Sequence, residues 1–302
     1  MRVGGLFAAP ETCFQRSVPE PAPLPLSVFL AMLASAFLHA AWNAWVKSRR
    51  DANAAVAALV IGAAFPSAGV IAGFGLPAGP AWPWIACTVT LSIGSLTLLA
   101  RAYREGDFAV AFPMIRGLIP VVLALAAIPL FGEAPRLSGA LGVLCVSAGL
   151  VLIGWESARR SRTITMRGLA FVALAALVTA VSVMTDAKGA RLSQNPFGYA
   201  ATIAVLNGIA MAVLQTLRGR RVTRMLIDHW PITFGASAVS MVSYQLFIWS
   251  LQHAPVALVG AMRETSMLFA LMIALFVLGE RFGLWRWAAV ALMLAGMGLM
   301  RL

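Results

Sequence analysis

Two arginines, Arg116 and Arg263, sit inside otherwise apolar runs and occupy matching places in a repeated stretch. Residues 109–133 read AVAFPMIRGLIPVVLALAAIPLFGE, and residues 256–280 read VALVGAMRETSMLFALMIALFVLGE. At a constant offset of 147, Arg116 falls on Arg263, Gly132-Glu133 on Gly279-Glu280, and Ala148-Gly149 on Ala295-Gly296. A guanidinium stays charged and grips carboxylates, phosphates or phosphonates through paired N–H groups. Eight residues into an apolar segment, each head lies about 12 Å deep at about 1.5 Å per residue. Entry from opposite faces of a core of about 30 Å leaves the two about 6 Å apart in depth. An arginine at that depth costs at least about 2.5 kcal/mol and needs a cavity or a partner. Two readings stay open: a paired cationic clamp for an anionic ligand, or two struts that hold helices together through carbonyls or an acid.

Other polar residues in apolar surroundings extend the candidate site. Glu264 follows Arg263 but points about 100° away on a helix. It could take a coupling proton, neutralise one of the arginines, or gate by breaking such a pair. Ser35, His39, Trp42 and Asn43 share one helical face, as do Thr179, Ser182 and Asp186, with Lys188 beyond. Trp42 could wall off a ligand while His39 and Asn43 hydrogen-bond it; the plain alternative is hydrogen bonding between helices, worth about 1 kcal/mol. Ser237, Ser240 and Tyr244, with Gln245 and Trp249 nearby, form a weaker group, in which Trp249 also suits an interfacial aromatic belt. Pro113, Gly117 and Pro120 bracket Arg116 and predict a kink there; the matching stretch around Arg263 has no such prolines. Glu133 beside Arg136, and Glu280 beside Arg281, read as helix-end ion pairs. His229 and His253 fall at segment ends, and no spacing suits a metal.

The elements that must carry these residues follow from composition. The 302-residue chain is 61% apolar and 11% charged, with mean hydropathy +0.86, against about 45–50% and about 25% in soluble domains. Its apolar runs are near-continuous and about 20 residues long, which favours membrane-spanning helices over barrel strands. Ten segments fit: 26–47, 53–75, 82–104, 108–131, 136–155, 167–187, 196–217, 230–252, 255–278 and 284–301. Residues 1–25, with five prolines and no long apolar run, read as a disordered tail. Small residues at 140–149 and 295–298 predict close helix approach.

The repeat divides the remainder into five-helix units at 26–156 and 157–302 within one membrane domain. Five is odd, so the second unit enters from the opposite side; such inverted repeats are common in secondary transporters. The net charge of +12 reflects short basic loops and not a nucleic-acid partner. Loops after odd-numbered spans carry 15 Lys and Arg; the tails and even loops carry 6. That asymmetry predicts odd loops in the cytoplasm and both termini outside. Cys13, Cys87 and Cys145 are too scattered for a disulfide framework or a metal.

The duplicated unit, with Gly-Glu closing spans four and nine and a small-residue helix after each, resembles the drug/metabolite transporter superfamily and, more narrowly, the EamA-type exporters, over residues 26–302. His39-Ala-Ala-Trp42-Asn43 followed by Lys47 resembles a pattern of bacterial members. The resemblance implies ten helices, a central cavity lined by spans 1, 3, 4, 6, 8 and 9, small metabolites as cargo, and a bacterial inner membrane. It also implies both termini in the cytoplasm, against the charge asymmetry.

The expected function is therefore secondary-active transport, as an exporter of a small polar or anionic metabolite such as an amino acid or a phosphorus-containing anion. Arg116, Arg263, His39, Trp42, Asn43 and Tyr244 are the candidate substrate contacts. Glu264 and Asp186 are candidates for proton coupling or gating. No cofactor or metal is expected, and no phosphate-binding GxxxxGK[ST] loop occurs, so the energy would come from a gradient or exchange. A membrane enzyme acting on lipid-linked substrates would need clustered acids, histidines or a metal, and the 11 acidic residues are scattered. A structural membrane protein would bind no small molecule and tolerate loss of either arginine.

Overall fold

A computed structural model describes residues 24–105, 108–161, 166–276, 279 and 282–302. Almost all of the expected tail, and the Glu280–Arg281 pair, lie outside the described residues. Near the end of that stretch Leu24 is buried, and its N–H donates to the Met300 carbonyl at 3.3 Å.

Among the described residues the chain is all helical. In order come α1 (Leu26–Lys47), α2 (Ala52–Gly62), α3 (Ala64–Phe74), α4 (Trp82–Glu105), α5 (Phe108–Phe131) and α6 (Leu137–Ser161). They are followed by α7 (Met166–Leu192), α8 (Pro196–Leu217), α9 (Val222–Asp228), α10 (Ser237–His253), α11 (Val256–Glu264), α12 (Ser266–Phe276) and α13 (Leu284–Arg301). A π-helical turn, Pro231–Ala236, leads into α10. Eight segments among the described residues are long and apolar enough to cross a membrane: 26–47, 53–74, 110–131, 137–159, 166–192, 196–217, 231–253 and 256–276. The expected third and tenth spans are present as α4 and α13 but fall outside that set. In α13 the two arginines, Arg286 and Arg301, lower the mean hydropathy of its 18 residues.

The helix breaks fall outside the proline-bearing span four. α5 runs unbroken through Pro113, Pro120 and Pro129. The expected second span instead divides at Ala63 into α2 and α3. Pro66 lacks the N–H that would reach back four residues to Gly62, so the ladder is interrupted there. The ninth span divides at Thr265, between α11 and α12. The buried Thr265 hydroxyl donates to the Met262 carbonyl at 2.6 Å, and the Thr265 N–H does so at 3.2 Å. That tighter i→i−3 turn replaces the α-helical bond.

The repeated Gly-Glu has a backbone cause. Gly132 has φ +68° and Gly279 φ +67°, a left-handed conformation that costs a side-chain-bearing residue about 1–2 kcal/mol. At the first copy the Gly132 N–H bonds the Ile128 carbonyl at 2.9 Å, an αL cap that satisfies a helix-end acceptor.

Close packing joins α6 to α13 through the predicted small residues. A Cβ on Gly142 would lie 2.7 Å from the Gly296 carbonyl oxygen, and one on Gly296 would lie 2.6 Å from that of Gly142. The backbones touch, and only glycine permits it. The main apolar core runs through this seam and includes Val146, Leu150, Met293 and Met297. Elsewhere α1 packs on α10, α4 on α7, α3 on α8, and α5 on α11. The α1–α10 contact is closed by reciprocal bonds: Ser35 Oγ donates to the Ser243 carbonyl at 2.7 Å, and Ser243 Oγ to that of Ser35 at 2.8 Å. Ser35 is therefore helix glue.

Candidate functional site

Arg116 lies on α5, and its side chain is 15% exposed. One of its nitrogens donates to Glu264 Oε2 at 2.9 Å and to Ser266 Oγ at 3.0 Å; the other terminal nitrogen contacts His39 Nε2 at 3.0 Å. The guanidinium also sits over the Phe112 ring, 4.7 Å from its centroid, and Lys47 Nζ approaches the same ring at 5.3 Å. Glu264 is thus paired with the arginine of the first copy, not with its sequence neighbour. The bond joins α5 to α11, the two repeated segments.

These groups border a cavity of about 290 Å³. Its polar lining is His39, Asn43, Lys47, Arg116, Ser157, Ser266 and Arg286, brought there by α1, α5, α6, α12 and α13. All of its charged lining residues are basic. Arg286 Nε is 3.2 Å from Glu156 Oε2, an acid buried behind the lining. Asn43 is also tied to its own helix, donating to the His39 carbonyl at 2.8 Å. Trp42 does not line the cavity; it packs edge-on to His39, with 4.9 Å between centroids, and against the small core around Val46 and Ile232. Arg286, Ser157 and Ser266 were not candidates from sequence, since each lies near a span end or beside other polar residues and gives no periodic signal.

Arg263 faces a second cavity, also about 290 Å³. Its polar lining comprises Ser92, Ser95, Thr179, Ser182, Asp186, Asn207, Ser240, Tyr244 and Arg263. The stripe Thr179, Ser182 and Asp186 on α7, and the pair Ser240 and Tyr244 on α10, converge here. Asp186 is buried; Thr88 donates to its Oδ1 at 2.8 Å and Tyr244 to its Oδ2 at 3.0 Å. The Arg263 guanidinium stacks on Phe247 at 4.1 Å, and its buried Nη1 has no hydrogen-bond partner. Asn207, alone in the middle of an apolar span, was the readable signal that the candidate set lacked. Ser237 and Gln245 serve packing instead, donating to the carbonyls of Leu59 at 2.8 Å and Phe197 at 3.1 Å.

The two arginines therefore line separate cavities. Their charges remain within electrostatic reach of each other, and Arg263 also senses Glu264, Tyr244 and Asp186. The single six-span cavity implied by the resemblance is replaced by one that also uses spans five and ten and one that also uses spans two and seven.

Glu133 does not pair with Arg136. It bonds Arg191 Nη1 at 2.5 Å and accepts from the Val256 N–H at 2.8 Å. The turn at Gly132 aims the carboxylate across the bundle, where it ties the end of α5 to the end of α7 and the start of α11. Arg191 completes the knot by donating to the carbonyls of Leu251 at 3.0 Å and Ala254 at 3.3 Å.

No curated protein matches the chain. A solved crystal structure aligns over 90% of this chain and 94% of its own, with a TM-score of 0.66 and 16% identity. That likeness shows a shared fold. Residues 166–302 match the model of the EamA-like transporter family. Over its second half, the chain is thus similar to the EamA-like transporter family, which is part of the drug/metabolite transporter superfamily.

Proposed function

We propose that the protein is a secondary transporter that exports a small polar or anionic metabolite by alternating access. Ten spans form two inverted five-helix repeats in a bacterial inner membrane, with lipid around them. The helix pairing supports this reading. Exchanging the halves maps the α1–α10 contact onto that of α7 with α4, and maps the contacts of α3 with α8, α5 with α11 and α6 with α13 each onto itself. Rocking of one unit against the other then exposes a central site to each side in turn.

The observation that carries the substrate class is the first cavity, where Lys47, Arg116 and Arg286 surround a space with no acidic lining. Arg116 spends three of about five N–H donors on Glu264, Ser266 and His39, which leaves two for a ligand oxygen. An anion there competes with Glu264 for Arg116. Breaking that bond couples ligand binding to the contact between the repeats, and the freed carboxylate can accept a coupling proton. Glu264 and Asp186 are the proton-coupling or gating candidates on this reading.

Thermal stabilisation of the purified protein tests it, screened over amino acids, phosphate and phosphonate esters, sugars and cationic drugs. Saturation at a hundred times the dissociation constant stabilises by about 2.7 kcal/mol. An anion or polar zwitterion is expected to stabilise the wild type and to lose most of that effect in Arg116→Lys, which keeps the charge but not the fork. Stabilisation confined to cations, or shared equally by Arg116→Lys, sinks the proposal.

A further inference from the structure

The first cavity is lined by cations alone, but the second presents both signs. Arg263 and Asp186 are its charged lining residues, carried on α11 and α7. They sense each other's charge but are not in ion-pair contact. The arrangement leaves hydrogen-bonding capacity unused on both sides. Among the described residues the Arg263 guanidinium makes no hydrogen bond; its contact is the Phe247 face, and its Nη1 is fully enclosed. A guanidinium carries five donors, and inside a membrane domain an unsatisfied ionic group is costly. Glu264, the acid beside it in the chain, is held by Arg116. On the opposite wall Asp186 accepts from Thr88 and Tyr244, with the Tyr199 hydroxyl close by. A carboxylate has about four lone-pair sites, so at least one remains.

We infer that this second cavity is a binding site for a small zwitterion, whose anionic oxygens lie on Arg263 and whose ammonium lies on Asp186. A pure anion would leave Asp186 facing it, and a pure cation would leave Arg263 facing it; a molecule carrying both charges meets each wall with its complement. Asn207 lines the space with an amide, and Ser92, Ser95 and Thr179, whose O–H groups are given to the carbonyls of Thr88, Ser92 and Ala175, add acceptor oxygens, which suits a short polar side group. At about 290 Å³ the cavity is at the small end of ligand sites. The anionic half is a carboxylate or a phosphonate, since both fit a guanidinium fork. The inference rests on the transporter reading and deepens it: a bipolar cavity admits an anion only when it also carries an ammonium.

The test is a binding series on the full-length protein in nanodiscs, read by calorimetry and thermal shift. The probes are small L-α-amino acids and aminoalkylphosphonates, each beside its N-acetyl derivative and its ester. The first derivative lacks the ammonium and the second weakens the anion. At least one free zwitterion is expected to bind ten-fold or more tightly than both of its derivatives. The carboxylate and phosphonate arms decide which anionic group the fork takes. Asp186→Asn is expected to bring the zwitterion and its N-acetyl derivative to within about two-fold of each other, whereas Arg263→Gln does the same for the zwitterion and its ester. The wild-type series decides the matter even where a variant does not fold. If N-acetyl derivatives bind as well as the parents, the zwitterion site is overturned while transport of anions stands. If nothing in the series or in the wider screen binds, the transporter reading falls and takes this inference with it.

Discussion

Replacing Arg116 by glutamine strands a carboxylate. Glu264 is 7% exposed and Arg116 is its ion-pair partner at 2.9 Å. Removing one member of a buried pair costs about 3–5 kcal/mol, because the other charge stays buried without compensation. Glu264→Gln is milder, about 1–3 kcal/mol, since Arg116 keeps Ser266 and His39 at 3.0 Å. If the cost comes from the uncompensated charge, the double variant Arg116→Gln/Glu264→Gln removes its cause. The double variant is then expected to lose less than the two single losses together, by at least about 1 kcal/mol. Reversible unfolding in mixed detergent micelles at fixed lipid content measures all four proteins, with retention volume on gel filtration checking that each is folded at the start. Additivity within about 0.5 kcal/mol would refute the reasoning and show that each side chain acts through separate contacts.

Two further outcomes test the frame. Gly142→Leu should sharply reduce the folded, monodisperse fraction on gel filtration, because its Cβ would meet the Gly296 carbonyl at 2.7 Å and overpacking costs about 1–3 kcal/mol; Gly298→Ala, with nothing within 4 Å of an added Cβ, should leave that fraction unchanged. Gly132→Ala should lower stability by about 1–2 kcal/mol through its φ of +68° alone, and a thermal melt as high as wild type would contradict this.

The parts of the fold that depend on local pattern were legible in the chain. Continuous apolar runs announced the helices, and the stretches at 140–149 and 295–298 announced a close seam. Thr265 shows where such reading stops: nothing in MRETS marks a break, because the break depends on one hydroxyl finding the Met262 carbonyl. Glu133 is a second case. Arg136, three residues on, was the nearest cation in sequence, but the left-handed turn at Gly132 sends the carboxylate to Arg191 on another helix. The arginines were found as polar residues in an apolar setting. Depth alone placed them together, whereas their azimuth around each helix sent them to different cavities, and that angle depends on packing that one sequence does not reveal. Thr88 escaped notice because one hydroxyl among several in a span, beside Thr90, Ser92 and Ser95, looks the same whether it bonds its own helix or a neighbour.

The matched dihedrals at Gly132 and Gly279 bear on how such a chain diversifies. Over the repeated segment few identities survive besides the arginine and the Gly-Glu, yet both ends retain the same backbone turn. A turn of this kind is inherited as geometry: drift can rewrite nearly every flanking side chain without displacing the helix that follows. The two cavities, each walled by elements of both halves, carry unlike charged linings, one basic and one of mixed sign, on a shared chassis. New lining chemistry can therefore arise in one cavity at a time, with no need to solve the architecture again.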